Sequence, residues 1–195
     1  MKILLSGFEP FADDFLNSSE ELVNEIVKKN NQFDSVILPV EFYKSFSILK
    51  ENILNHKPDL LLMFGQATGR SKIGLEKLAV NWQQASIADE AGYRPQSVSV
   101  RSAGPMTLNT QFPLEKFIFQ LQAEPVEVSY SAGAFVCNDL YYRVLSEFTE
   151  LPSLFIHLPL LPSQKKEASL ASLELSEQVQ TIRQIIQMSV DFLRH

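Results

Sequence analysis

Short apolar stretches alternate along the chain with longer segments whose apolar residues recur every three to four positions. Residues 2–7 carry the run Ile3-Leu4-Leu5 and predict a strand. Ser18 and Ser19, followed by Glu20-Glu21-Leu22-Val23, predict a helix N-cap with acidic residues in the first turn, where the helix dipole favours them. The order then repeats: a strand over 33–40, a helix over 45–55, a stop at Pro58 and a strand over 59–65. From 66 to about 111 the alternation lapses into short strands and loops containing Gly, Pro and Ser, a stretch expected to build surface loops. Regularity returns with a helix over 114–121, a strand over 126–130, a helix over 136–148, a strand over 153–157 and a terminal helix over 173–193.

The runs at 60–64 and 154–156 are apolar at every position, as strands are when helices cover both faces of their sheet. The pattern therefore predicts an α/β protein, a three-layer α/β/α sandwich around a mostly parallel twisted sheet. A chain of 195 residues without repeats or low-complexity tracts suits a single domain, 1–195. In open sheets of this kind ligands gather outside the carboxyl ends of the strands, which singles out residues 7–11, 65–70, 131–137 and 157–164.

Composition narrows the function. Seventeen Lys and Arg against 23 Asp and Glu leave a net charge of −6, the wrong sign for nucleic acid without a basic patch. The densest basic pairs, Lys28-Lys29 and Lys165-Lys166, sit beside Glu or Asn and read as solvated element ends. No apolar run approaches the roughly 20 residues that span a bilayer, and Ser6-Gly7-Phe8-Glu9-Pro10 interrupts the N-terminal run before a signal-peptide core develops. A cytoplasmic location with no membrane partner is expected. The single cysteine, Cys137, excludes an intrachain disulfide and a cysteine-cluster metal site.

Cys137 lies in Ser131-Ala132-Gly133-Ala134-Phe135-Val136-Cys137-Asn138, where a small-residue turn leads from a strand into a helix. A lone cysteine is commonly an inert core thiol. At a helix N-terminus, however, free backbone N–H groups and the dipole favour the thiolate and can hold an oxyanion. Of the three histidines, His195 ends the chain, and His56 closes a helix where a cation suits the dipole. His157 closes a strand before Pro159, at the predicted edge of the Cys137 turn, so the two form the minimum pair for nucleophilic catalysis, set against a histidine merely hydrogen-bonded at a strand end. The loop Gly65-Gln66-Ala67-Thr68-Gly69-Arg70 lacks the Gly-Lys-Ser/Thr ending of a phosphate-binding loop. Gly7-Phe8-Glu9-Pro10-Phe11 places two aromatics beside a strand end, as core or as an apolar ligand pocket.

Taken in order, residues 1–11, Asn17-Ser18-Ser19, the Gly65–Arg70 loop, Glu76-Lys77-Leu78-Ala79-Val80-Asn81, residues 131–138 and Phe155-Ile156-His157-Leu158-Pro159 through Gln164 resemble the type I pyroglutamyl peptidases, or pyrrolidone-carboxylate peptidases. These are cysteine peptidases that remove an N-terminal pyroglutamyl residue. The resemblance implies Cys137 as nucleophile, His157 as general base and Glu76 as the acid that orients the imidazole. It further implies that Phe8, Phe11 and Phe135 surround the lactam ring, with Gln66 and Asn17 making polar or structural contacts nearby. No metal or cofactor is implied; the partners are small peptides with an N-terminal pyroglutamate, and a homo-oligomer, dimer or tetramer, is in keeping with the family.

The chain departs from the family pattern at several positions. Ser86 stands where an Arg is typical, and Ala88-Asp89-Glu90 where Pro-Asp-Asn is. Ala12-Asp13 replaces Gly-Gly, Ser18 replaces Pro and Thr68 replaces Gly. The stretch between Cys137 and His157 is also short for the family, which implies a trimmed loop after Phe148. Two alternatives follow: a catalytically weak or inactive homologue that binds pyroglutamyl peptides, and, outside the family, a phosphate-binding α/β domain using the Gly65–Arg70 loop.

Overall fold

The computed structural model describes residues 1–28, 33–121 and 125–194, so Lys29 and His195 lie outside the described residues. In chain order these form β1 (Ile3–Phe8), α1 (Ser18–Lys28), β2 (Phe33–Leu38), α2 (Lys44–His56), β3 (Leu60–Gln66), β4 (Ile73–Glu76), β5 (Leu78–Val80) and β6 (Thr107–Asn109). There follow α3 (Leu114–Gln120), β7 (Val126–Ser129), α4 (Val136–Glu147), β8 (Ser153–Leu158) and α5 (Leu175–Leu193). Six strands make one sheet in the order β2-β1-β3-β8-β4-β7, while β5 and β6 form a small antiparallel pair.

Side chains alternate across a strand, and here each face has its own core. Leu5, Leu62, Phe64, Leu154 and Ile156 pack with Leu22 and Ile26 of α1, Phe117 of α3 and Ile182 and Ile185 of α5. Leu4, Leu61, Met63 and Phe155 pack on the opposite side with Phe46 and Leu49 of α2 and Leu140, Tyr141 and Val144 of α4. The expected three-layer α/β/α sandwich is therefore present, and β1 and β8 are buried at every position because helices cover both faces. No described helix is long and apolar enough to cross a membrane.

Three details differ from the sequence expectations. The stretch after residue 66 does not stay on the surface: β4 is buried throughout and enters the main sheet, antiparallel to β8 and parallel to β7. A four-residue strand with glycine at its second position and glutamate at its end carries no strand signature. Because β7 runs against β1, β3 and β8, its carboxyl end does not lie at their carboxyl edge; residues 130–135 carry the chain back there to start α4. Finally, α1 is capped by Asn17 rather than by Ser18 or Ser19. Asn17 Oδ1 accepts the Ser19 N–H (3.0 Å) and the Ser19 hydroxyl (2.7 Å), and that hydroxyl accepts the Phe8 N–H (2.9 Å). The cap thus ties the end of β1 to the start of α1.

Leu62 lies wholly buried in the middle of β3. Leu62→Ala is expected to lose about 2–5 kcal/mol of stability, measured as a lower urea midpoint with an unchanged slope.

Candidate active site

His157 is flanked across the sheet by two glycines, its register partners Gly65 on β3 and Gly74 on β4. Register partners point to the same face, so the sheet has a gap on either side of the imidazole. Each gap is filled from elsewhere. A Cβ on Gly65 would lie 2.9 Å from Cys137 Sγ and 2.9 Å from a ring carbon of Phe155. A Cβ on Gly74 would lie 2.3 Å from a guanidinium nitrogen of Arg70. Only glycine at these two places lets a sulfur and a cation approach the backbone beside His157.

Glu76 stands two residues beyond Gly74 and therefore on the same face. Its side chain is 0% exposed, and Oε1 accepts from both His157 Nδ1 (2.7 Å) and Arg70 Nη1 (2.9 Å). A carboxylate only accepts, so Nδ1 carries a proton and Nε2 remains for chemistry. Burial pushes the Glu76 carboxyl up, but the hydrogen bond and charge of His157, the Ser129 hydroxyl and the Arg70 guanidinium outweigh it and hold the group below the ordinary carboxylate range. The imidazole itself packs against Phe155, ring centroids 5.0 Å apart.

Cys137 occupies the first turn of α4, whose start is locked by its neighbour: the buried Asn138 amide donates to the carbonyls of Val80 and Trp82 and accepts the Val80 N–H, each at 2.9 Å. The helix start does not ionise the sulfur, contrary to the expectation of a depressed thiol pKa. Burial, followed by the negative charge of Glu76, pushes the thiol up to about 12; the backbone hydrogen bond and Arg70 pull the other way and lose. The physical reason is that α4 packs on the sheet with Val136, Asn138 and Asp139 buried, which leaves the sulfur half-buried at the edge of a cavity rather than in open water.

A cavity of about 450 Å³ opens beside the sulfur, a size that suits a small ligand. Phe8, Phe11, Phe135, Asn17, Gln66 and Cys137 all line it, whereas Glu76 and His157 are not among its lining residues. The aromatic side is continuous: Phe135 meets Phe11 at 5.5 Å and Phe42 at 5.3 Å between centroids. The two amides are already engaged by protein. Asn17 Nδ2 donates to Glu9 O (3.0 Å), Gln66 Oε1 accepts from the Ser18 N–H and from Gln164, and Gln66 Nε2 donates to Asp14 (3.0 Å).

Ala12, Asp13, Thr68 and Ser86, positions where the chain departs from the family pattern, also line the cavity, as does Val40, which carries no sequence signal. Lys166, an exposed loop end as expected, pairs with Asp14 at 3.0 Å there. Arg70, the second partner of Glu76, was equally silent, because a spacing of six residues across a turn has no periodicity to betray it. His56 closes α2 as expected and pairs with Asp34 at 3.1 Å. In the Gly65–Arg70 loop the Ala67 N–H donates to Leu158 O, the Arg70 N–H donates to Ala67 O and the guanidinium is committed to Glu76, an arrangement unlike a phosphate cradle.

The pyroglutamyl peptidase family profile matches residues 1–191, and the chain belongs to that family. A pyrrolidone-carboxylate peptidase of Bacillus velezensis is 36% identical over 183 residues, covering 89% of this chain and 85% of that protein. One of Lactobacillus acidophilus is 35% identical over 199 residues, covering 98% and 100%. Among solved structures, pyroglutamyl peptidase I of Bacillus amyloliquefaciens superposes with a TM-score of 0.87 at 33% identity, over 94% of this chain and 93% of that one. The pyrrolidone carboxyl peptidase of Fervidobacterium islandicum gives 0.89 at 33%, over 95% and 96%.

Two outcomes follow from the buried carboxylate and its glycine neighbours. Because the folded pKa of Glu76 lies below its ordinary 4.5, its stabilising contribution is complete above that pH and lost as the pH falls through the folded value. Thermal melts across acid pH should therefore show a steeper loss for wild type than for Glu76→Gln. Gly65→Ala puts a methyl group onto Sγ and the Phe155 ring and is expected to destabilise by about 1–3 kcal/mol, read by denaturant titration.

Proposed function

We propose that this chain is a cysteine exopeptidase that releases an N-terminal pyroglutamyl residue from peptides, with residues 1–195 acting as one catalytic unit. One arrangement carries the reading: the His157 imidazole held through Nδ1 by Glu76 at 2.7 Å, with the Cys137 sulfur seated over its register partner Gly65 on the wall of an aromatic cavity. Phe8, Phe11 and Phe135 offer apolar faces to a lactam ring that carries no N-terminal charge, while Asn17 and Gln66 shape the wall between them.

With a neutral resting thiol, the proton leaves as the new bond forms. His157 Nε2 takes the proton from Cys137 while the sulfur attacks the pyroglutamyl carbonyl carbon, and the carbonyl electron pair moves onto oxygen. Backbone N–H groups at the start of α4 stabilise that oxyanion. As the C–N bond breaks, the imidazolium returns its proton to the leaving amine, giving a thioester and a shortened peptide. Nε2 then takes a proton from water, the hydroxyl adds to the thioester, the C–S bond breaks and the sulfur recovers its proton as pyroglutamate leaves. Throughout, Glu76 stays ionised and stabilises the imidazolium.

The presence of Ser86 on the cavity wall, with no cation in Ala85-Ser86-Ile87, favours a second reading: a homologue that binds pyroglutamyl peptides and turns them over slowly or not at all. A chromogenic pyroglutamyl amide separates the two. Turnover by wild type that falls by roughly a thousandfold or more in Cys137→Ala supports the peptidase. Pure, folded wild type that binds a pyroglutamyl peptide and returns it intact assigns the second reading instead.

A further inference from the structure

We infer that Arg70 is a positioning residue of this site: its guanidinium holds the Glu76 carboxylate against His157 and pins the turn that delivers Cys137. The inference rests on the reading of Cys137, His157 and Glu76 given above. Both guanidinium bonds of Arg70 go to protein groups, so it acts through these partners. Its fork spans two chain segments, with Nη1 donating to Glu76 Oε1 at 2.9 Å and Nη2 donating to the Ser131 carbonyl at 3.2 Å. Ser131 stands at the root of the small-residue turn that leads into α4 and Cys137. One planar group therefore fixes the distance between the carboxylate and the sulfur-bearing helix start, a task for which arginine's rigid fork is suited and lysine's single ammonium is not.

Charge gives the same residue a second task. A buried carboxylate needs a compensating cation, or its neighbours supply one by taking up a proton. The groups facing Glu76 are His157 from β8, Arg70 from the β3–β4 loop, Ser129 from β7, and Cys137 and Tyr141 from α4. Lys77, next in the chain, is turned away to Glu115 at 2.8 Å. Arg70 is the permanent cation of this set. With Arg70 in place, Glu76 Oε1 is shared between a fixed cation and the Nδ1 donor of His157, which holds the carboxylate in the orientation that leaves Nε2 free of it. The fold reserves space for this cation: at Gly74 any side chain would meet the guanidinium at 2.3 Å.

Arg70→Met, Arg70→Lys, Gly74→Ala and the Arg70→Met/Gly74→Ala double variant test the inference on the purified full chain. Arg70→Met is expected to lower kcat on a pyroglutamyl amide by roughly tenfold or more and to leave KM within about threefold. Arg70→Lys should restore only part of kcat, since it returns the charge without the fork. Gly74→Ala, which displaces the guanidinium while keeping it in the chain, should lower kcat in the wild-type background and add little in the Arg70→Met background. An unchanged kcat in Arg70→Met, full rescue by Arg70→Lys, or additive losses in the double variant would overturn the inference and leave Arg70 a plain structural contact.

Cys137 is the only cysteine, so its alkylation by iodoacetamide, followed by mass, reports the site without turnover. Arg70→Met should alkylate several-fold more slowly than wild type at pH 8, because a cation that favours the thiolate has gone; an equal rate counts against the inference. Wild type that fails to hydrolyse the amide defeats the proposed function, while the alkylation comparison still decides the role of Arg70. Should Arg70→Met fail to fold by circular dichroism, Gly74→Ala, with its arginine intact, gives the same readings.

Discussion

A carboxylate with none of its surface in water is the constraint around which this molecule is arranged. Glu76 sits on a strand inside the sheet, where an unpaired charge would be intolerable, so its partners must be brought in from separate parts of the chain. His157 arrives on β8, Arg70 from the loop between β3 and β4, and Ser129 on the adjoining strand β7. Each is placed by sheet register or by a tight excursion from it, and the sheet is rigid because apolar layers cover both faces. The reversed direction of β4 is what makes this possible. By turning back and re-entering the sheet, the chain presents Arg70 to Glu76 and Glu76 to the imidazole within a stretch of seven residues.

The same carboxylate adds to the burial that acts on the sulfur. Helix N-termini stabilise thiolates only when burial does not dominate, and here burial and the Glu76 charge act together against ionisation. The packing of α4 thus outweighs what the helix dipole and Arg70 offer the sulfur.

The layered architecture was legible because strands covered on both faces are apolar throughout, and 60–64 and 154–156 show just that. Cys137 and His157 could be singled out from their places at a helix start and a strand end. Glu76 could not: among 23 acidic residues nothing local marks it, and only resemblance to a family brought it forward. Its setting was hidden because β4 is short and broken by Gly74, and because burial by tertiary packing leaves no trace in four residues. The depressed thiol pKa was expected from a local rule, the helix dipole, and was overruled by a non-local one, the packing of α4 on the sheet. Arg70 was invisible for the same reason: the space it fills is defined by a glycine and a serine carbonyl from different strands and loops.

Asn17 carries a consequence of a different kind. Its side chain caps α1 and holds the Glu9 carbonyl, Ser19 clasps the end of β1, and Gln66 joins Ser18 to Gln164. The cavity's polar wall is thus made of amides already bonded within the protein. An incoming molecule meets a cleft whose amides have already surrendered their rotational freedom, so little of its binding energy is diverted to ordering the host.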